Sequence, residues 1–155
     1  MGMDGEAANT GAEALLARFA AEIDRQEDIL YGVALFFEGL NFLYAGQEAV
    51  RMTYRKQLRN IIQTDRLAID RARELLDQAR QDHSKAPLLE AFEFHPCQGY
   101  PQPAELRRRA EALVRAYREL FPDRPRSEPL SAEDVVRLLD AAAVKLEAGG
   151  PGAGS

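Results

Sequence analysis

The feature that most constrains the fold is a proline-free run of helical periodicity in the first half of the chain. No proline occurs before Pro87, and apolar residues recur about every 3.6 positions from Ala12 to Asp82. This spacing places the apolar residues on one side of an α-helix and predicts amphipathic helix throughout. A single straight helix of about 70 residues would be about 100 Å long, too long for a small compact domain. We therefore expect the chain to fold back on itself.

The sequence offers one natural place for a turn, at Gly46. A glycine can adopt the left-handed conformation that commonly follows the last residue of a helix. Turning there gives an antiparallel hairpin of two helices, Ala12–Ala45 and Gln47–Asp82. The periodicity also fits a longer helix that continues through Gly46, so both arrangements stay open.

Charge separates the two halves of this hairpin. Residues 1–50 contain nine acidic and two basic side chains, whereas residues 51–73 contain seven basic and two acidic ones. Opposite charges on facing helices favour one orientation, although such an asymmetry is also typical of a solvated surface. With the turn at Gly46, the facing pairs are Glu38–Arg55, Glu27 and Asp28 with Arg66, Glu22–Arg71, and Glu13–Arg80.

The rest of the chain predicts an irregular connector and two shorter helices. Four of the eight prolines fall between His83 and Pro103, which breaks the helical pattern over residues 83–103. Amphipathic helices then follow near 104–121 and 131–147. The predicted fold is therefore all-α and bundle-like: a long antiparallel helical hairpin plus two shorter C-terminal helices. Residues 11–147 form a single helical domain, between disordered ends at 1–10 and 148–155.

Three glycines, at positions 32, 39 and 46, fall at seven-residue intervals in the most apolar stretch of the chain. A seven-residue step returns to nearly the same face of a helix. Each glycine in a helix interior costs roughly 0.8–1 kcal/mol relative to alanine, so the stripe indicates a surface where another backbone or a flat ligand comes close. One interpretation is burial under the two C-terminal helices. Another is a homo-oligomer interface formed by Gly32, Gly39, Phe36, Phe37, Phe42 and Tyr44.

A row of arginines on the second helix is a candidate nucleic-acid interface. Arg51, Arg55 and Arg59 step by four residues, a spacing that could present them to phosphates. The whole chain carries a net charge of −5, however, and the hairpin supplies carboxylate partners for these arginines. These two features argue against nucleic-acid binding, and the row stays a weak candidate.

The connector contains the only cluster of side chains with metal-ligand chemistry: Glu93, His95 and Cys97, near Glu90 and His83. A lone His-x-Cys pair lacks the second pair of ligands that a zinc site needs. Both histidines lie in the same connector, without a partner for nucleophilic catalysis. The sequence therefore predicts no metal centre and no cofactor, and it favours a non-enzymatic role.

Composition limits the compartment. One cysteine allows no internal disulfide, and the N-terminus lacks the basic and apolar regions of a secretory signal, so we expect a cytoplasmic protein. The apolar stretch Ile29–Ala45 is shorter than the roughly 20 residues of a membrane span, and Glu38 lies near its middle. We therefore do not expect this stretch to span a membrane.

The favoured function is that of a helical interaction or assembly protein, an adaptor or scaffold, which forms homo-oligomers or binds another protein. Two alternatives stay open. One is a small ligand-binding or metal-binding protein, or an enzyme, that uses His95 and Cys97. The other is a nucleic-acid-associated protein that uses the row Arg51, Arg55 and Arg59.

Overall fold

A computed structural model describes residues 2–148 of the chain, with side chains over residues 11–147. All regular structure in that part is helical. A long hairpin, α1 (Gly2–Leu43) and α2 (Glu48–Gln81), is followed by a 3-10 turn at His83–Lys85 and by three shorter helices: α3 (Pro87–Ala91), α4 (Pro103–Leu120) and α5 (Ala132–Ala148). The predicted all-α hairpin with two shorter C-terminal helices is thereby confirmed. No helix in residues 2–148 combines the length and the apolar character that crossing a membrane requires.

The ends of the fold differ in part from the sequence-based bounds. Helix α1 begins at Gly2, whereas the sequence suggested a start near Ala12 after a disordered segment 1–10. No proline precedes Pro87, so residues 2–11 contain no helix breaker of that kind and the helix can extend backwards through them. Helix α5 ends at Ala148, and the remainder of the tail predicted over 148–155 lies outside the described residues. The assignment of residues 11–147 to a single domain stays a prediction.

The chain turns at Gly46, which adopts a φ of +79°. The backbone N–H of Tyr44 still donates to the carbonyl of Leu40 at 3.1 Å, and the N–H of Gln47 donates to the carbonyl of Tyr44 at 3.0 Å. A Cβ on Gly46 would meet nothing within 4 Å, so the backbone conformation alone is what requires glycine here. The turn therefore ends α1 as predicted, and the alternative of a continuous helix is wrong.

Two clusters of buried side chains follow one another along the hairpin. The first, which we call the bundle core, lies where α4 and α5 pack against the turn half of α1, and α2 contributes side chains to it. Its most buried members include Val33, Leu40, Leu58, Ile61, Leu106, Ala110 and Leu138. The second, the distal core, lies between the other halves of α1 and α2 under α3, and its members include Leu16, Phe19, Ile23, Ile69, Ala72, Leu76 and Leu89.

Gly32 lies at the crossing of α1 and α4. A Cβ placed on it would come within 2.2 Å of the carbonyl oxygen of Ala110, so the two backbones are in direct contact. About two turns further along, a Cβ on Gly39 would come within 3.0 Å of the Leu139 side chain on α5. The glycine stripe therefore lets α4 and α5 approach α1, which is the first of the two interpretations of its spacing.

The predicted charge pairing holds at one position of the hairpin. Arg66 contacts Glu27 at 3.1 Å between Nη1 and Oε1. Arg71 instead pairs with Glu74 within its own helix, at 3.0 Å. Asp28, expected near Arg66, accepts hydrogen bonds from Arg118 and from Arg126, the latter at 2.8 Å. A carboxylate three residues away on the same helix is a close neighbour of an arginine. The prediction paired only residues that face each other across the hairpin, so it did not consider such contacts.

Candidate functional site

The predicted interface residues are mostly used inside the fold. Gly32, Gly39 and Phe36 are buried against the C-terminal helices. Phe37 is partly buried below the guanidinium of Arg55, which lies 5.3 Å from the ring centre. Tyr44 stacks on Tyr54 across the turn, with 5.1 Å between ring centroids. Of these six predicted interface residues, only Phe42 is exposed, at 41%.

Exposed apolar side chains gather instead at the tip of the hairpin. Phe42 and Leu43 end α1, and Val50 and Met52 lie in the first turns of α2. Met52 is 60% exposed, and the other three are between 39% and 44% exposed. We call these four residues the tip surface. Only Phe42 was predicted as an interface residue, because Leu43 and Val50 look like ordinary members of an amphipathic pattern and Met52 is a single apolar residue on the polar side of α2.

A basic groove of about 500 Å³ adjoins the tip surface on α2. It is lined by Glu48, Met52, Thr53, Arg55, Lys56 and Arg59. The arginine row considered as a candidate for phosphate contact is only partly available there, because Arg51 is held by Glu48 and by Asn41, the latter at 3.3 Å. Lys56 and Arg59 are exposed.

The connector residues considered as candidate metal ligands do not converge. His95 is exposed and its Nε2 lies 3.6 Å from Glu93 Oε2, which is also exposed. Cys97 is fully buried below a cleft of about 660 Å³ between the connector and α4. Among residues whose side chains are described, no group of three or more histidine, cysteine or acidic side chains is placed to hold a metal ion.

Asp65, which the sequence analysis did not single out, holds the connector at Cys97. The backbone N–H of Cys97 donates to both carboxylate oxygens of Asp65, at 3.1 and 3.3 Å. Cys97 has a φ of +63°, a backbone conformation that residues other than glycine rarely adopt. Asp65 is 6% exposed and lies on α2 between apolar residues. The bond therefore fixes an unusual backbone turn inside the bundle core.

Burial controls the protonation of both groups. It raises the pKa of Asp65, and the hydrogen bond from the Cys97 N–H partly offsets that rise. Burial and the nearby Asp65 carboxylate together raise the pKa of Cys97 to about 12. The thiol is therefore protonated at neutral pH, whereas nucleophilic attack and metal ligation both use the thiolate. The arrangement is suited to holding the connector in place.

Neither a protein-family model, nor a curated protein, nor a solved structure matches this chain.

Proposed function

We propose that this protein is a non-enzymatic helical assembly protein that associates with further copies of itself through the tip surface. The observation that carries the proposal is the concentration of exposed apolar side chains around the turn. Of the eight large hydrophobic side chains exposed in the described part of the chain, four lie between Phe42 and Met52. Single exposed apolar side chains are ordinary, but a group of them at one end of a molecule is typical of an interaction site.

The internal packing of the glycine stripe supports the tip as the site of association. Gly32 and Gly39 already contact Ala110 and Leu139 of the same chain. A second copy could reach that face only after α4 and α5 had moved away and exposed the bundle core. The tip surface needs no such rearrangement.

The chemistry of the connector supports a non-enzymatic role. The Cys97 thiol is buried and protonated, and the exposed His95 pairs with the exposed Glu93, at 3.6 Å. A general base requires a positioned partner and a substrate within hydrogen-bond reach. The cleft beside Cys97 offers the arginines Arg107 and Arg108, whose guanidinium groups already contact Glu111 and Glu105.

Measurement of the molar mass over a range of concentrations tests this function. Sedimentation equilibrium of the full chain should give masses above the 17.3 kDa of one copy, increasing with concentration. The double variant Phe42→Ser/Met52→Ser should shift the protein to the single-copy mass, because it removes two of the apolar side chains of the tip.

The matched control is Leu67→Ser/Leu88→Ser, which removes two exposed apolar side chains outside the tip surface. This control should associate as the unmodified protein does. A single-copy mass for the unmodified chain at every concentration contradicts the proposal, and so does equal dissociation of the two double variants.

A further inference from the structure

We infer that the basic groove at the tip of the hairpin binds the acidic outer face of α5 from a second copy of the chain. This inference rests on the proposed function and names the surface that the tip contacts. It is drawn from two exposed surfaces of opposite charge, each of which includes exposed apolar side chains: Met52 at the edge of the groove, and Val136 and Val144 on α5.

The groove on α2 is a cationic surface with an apolar edge. Met52, Lys56 and Arg59 lie on one side of the helix and face outward, away from the buried Leu58 and Ile61. Arg55 lines the same groove, and Glu48 is its one acidic member. From Met52 to Arg59 the surface extends about 10 Å along the helix.

The outer face of α5 has the opposite charge. Val136 and Val144 are 43% and 65% exposed, while Val135, Leu138 and Ala142 on the other side of the helix are buried. Acidic side chains surround the two valines on the same exposed face: Glu133, Asp140 and Glu147. The distance from Val136 to Val144 is about 12 Å along the helix, close to the length of the groove.

The basic residue on this face is already engaged. Arg137 Nη1 lies 3.9 Å from Asp134 Oδ1, and its guanidinium lies 5.7 Å from the ring centre of Phe121 in the same chain. The outer face therefore presents carboxylates to a partner. The groove presents cations, and the pairing of the two surfaces brings exposed valines against Met52.

Charge decides between this contact and the symmetric alternative. Two grooves placed against each other would bring Arg55, Lys56 and Arg59 of both copies together, and like charges in one interface cost binding energy. The groove and the α5 face are instead complementary. Because they are different surfaces, two copies either make the contact twice in a two-fold symmetric pair or repeat it head to tail in a ring or filament.

Charge reversal with complementation tests the inference in the full chain. One variant, Lys56→Glu/Arg59→Glu, makes the groove acidic; the other, Asp140→Lys/Glu147→Lys, makes the α5 face basic. Each variant alone should associate at least about tenfold more weakly than the unmodified protein, because its contacts become repulsive. An equimolar mixture of the two should recover association, since the intact groove of one meets the intact α5 face of the other.

Arg18→Glu/Lys85→Glu is the matched control, because it reverses two exposed cations outside the groove. It should associate normally, and all variants should keep the helical circular dichroism and melting temperature of the unmodified chain.

The outcomes separate the inference from the proposed function. An unmodified chain that stays a single copy overturns both. A chain that associates while the α5 variant associates equally well, or while the mixture fails to recover, overturns the inference alone. Loss of association in the groove variant only, with the α5 variant unaffected, shows that another surface of the chain occupies the groove.

Discussion

At Gly32 a single hydrogen in place of a side chain sets the distance between two helices. The position of a Cβ there would overlap the Ala110 carbonyl on α4, and a backbone cannot swing aside as the end of a side chain can. The contact fixes where α4 crosses α1, and with it the position of the whole C-terminal pair. The two other glycines of α1 with described surroundings, Gly11 and Gly39, have more space.

We expect Gly32→Ala to lower the free energy of unfolding by about 1–3 kcal/mol, because the added methyl group forces α1 and α4 apart. Gly11→Ala is the matched control: it lies in the same helix, and nothing lies within 4 Å of its Cβ position. That variant should gain about 0.5–1 kcal/mol from helix propensity. Urea unfolding followed by circular dichroism measures both, and a stabilised Gly32→Ala variant would show that the crossing is looser than described.

Asp65 shows a different use of one residue, a buried acceptor for a backbone N–H. We expect Asp65→Ala to cost about 1–3 kcal/mol, because the Cys97 N–H loses its partner in the core. Asp65→Asn keeps an oxygen acceptor and removes the charge, so it should unfold at a denaturant concentration no lower than the unmodified protein at neutral pH. Denaturant titrations of the three proteins make the comparison, and equal stability of the alanine variant would contradict the role assigned to this bond.

The pH dependence of the same series follows from the sign of the pKa shift. The pKa of Asp65 is higher in the folded protein than in the unfolded chain. The folded state therefore binds the proton more tightly, and the contribution of Asp65 to stability falls as pH rises through the interval between the two values. Below that interval the carboxyl is protonated in both states, so the difference between the asparagine variant and the unmodified protein should narrow in acid.

At the scale of elements, the hairpin depends on the conformation of its turn. We expect Gly46→Ala to destabilise the protein by about 1–2 kcal/mol, because a left-handed φ costs that much for a residue with a Cβ, and open space around the position offers no compensating contact. Gly46→Asn should lose less, since asparagine tolerates this conformation. Thermal unfolding of the three proteins gives the order, and a neutral alanine variant would indicate that the turn relaxes.

The positions of the helices could be predicted because the pattern that identifies a helix is local in the sequence. Which surfaces pack against one another could not be predicted in this way. The 3.6-residue period and the absence of proline are properties of neighbouring residues, so they placed α1, α2, α4 and α5. The spacing of Gly32 and Gly39 indicated that another backbone comes close to α1. The same spacing fits a helix of a second copy and a helix of the same chain equally well. Only the crossing with Ala110 decides between them.

The candidate site was harder to predict for the same reason. Phe42 was singled out as an aromatic residue beside the stripe, while Leu43 and Val50 match the apolar pattern of buried positions. Met52 lies on the outward side of α2, where a single apolar residue attracts no notice. The exposure of Leu43 and Val50 follows from α4 and α5 covering other parts of the hairpin. Asp65 was missed because its burial depends on a connector that returns 32 residues later to place the Cys97 N–H against it.

At the scale of the whole molecule, the hairpin of α1 and α2 contributes to two cores that are enclosed by different helices. The bundle core is enclosed by α1, α2, α4 and α5, whereas the distal core has only α1, α2 and the short α3 with the connector rings Phe92 and Phe94. Opening the distal half exposes less apolar surface, so it requires less free energy. The two long helices are therefore expected to be unequally stable along their length.

Hydrogen exchange measured by mass spectrometry tests this expectation. Peptides of α1 around Phe19 and of α2 around Leu75 should exchange through openings of lower free energy than peptides around Val33 and Leu58. A difference of about 1.4 kcal/mol would appear as about tenfold faster exchange in the distal half. Phe19→Ala should widen the gap, because it removes contacts to Phe92 and Phe94, whose ring centres lie 5.9 and 5.8 Å away. Uniform exchange along α1, unchanged by that substitution, would mean instead that both cores unfold as one cooperative unit.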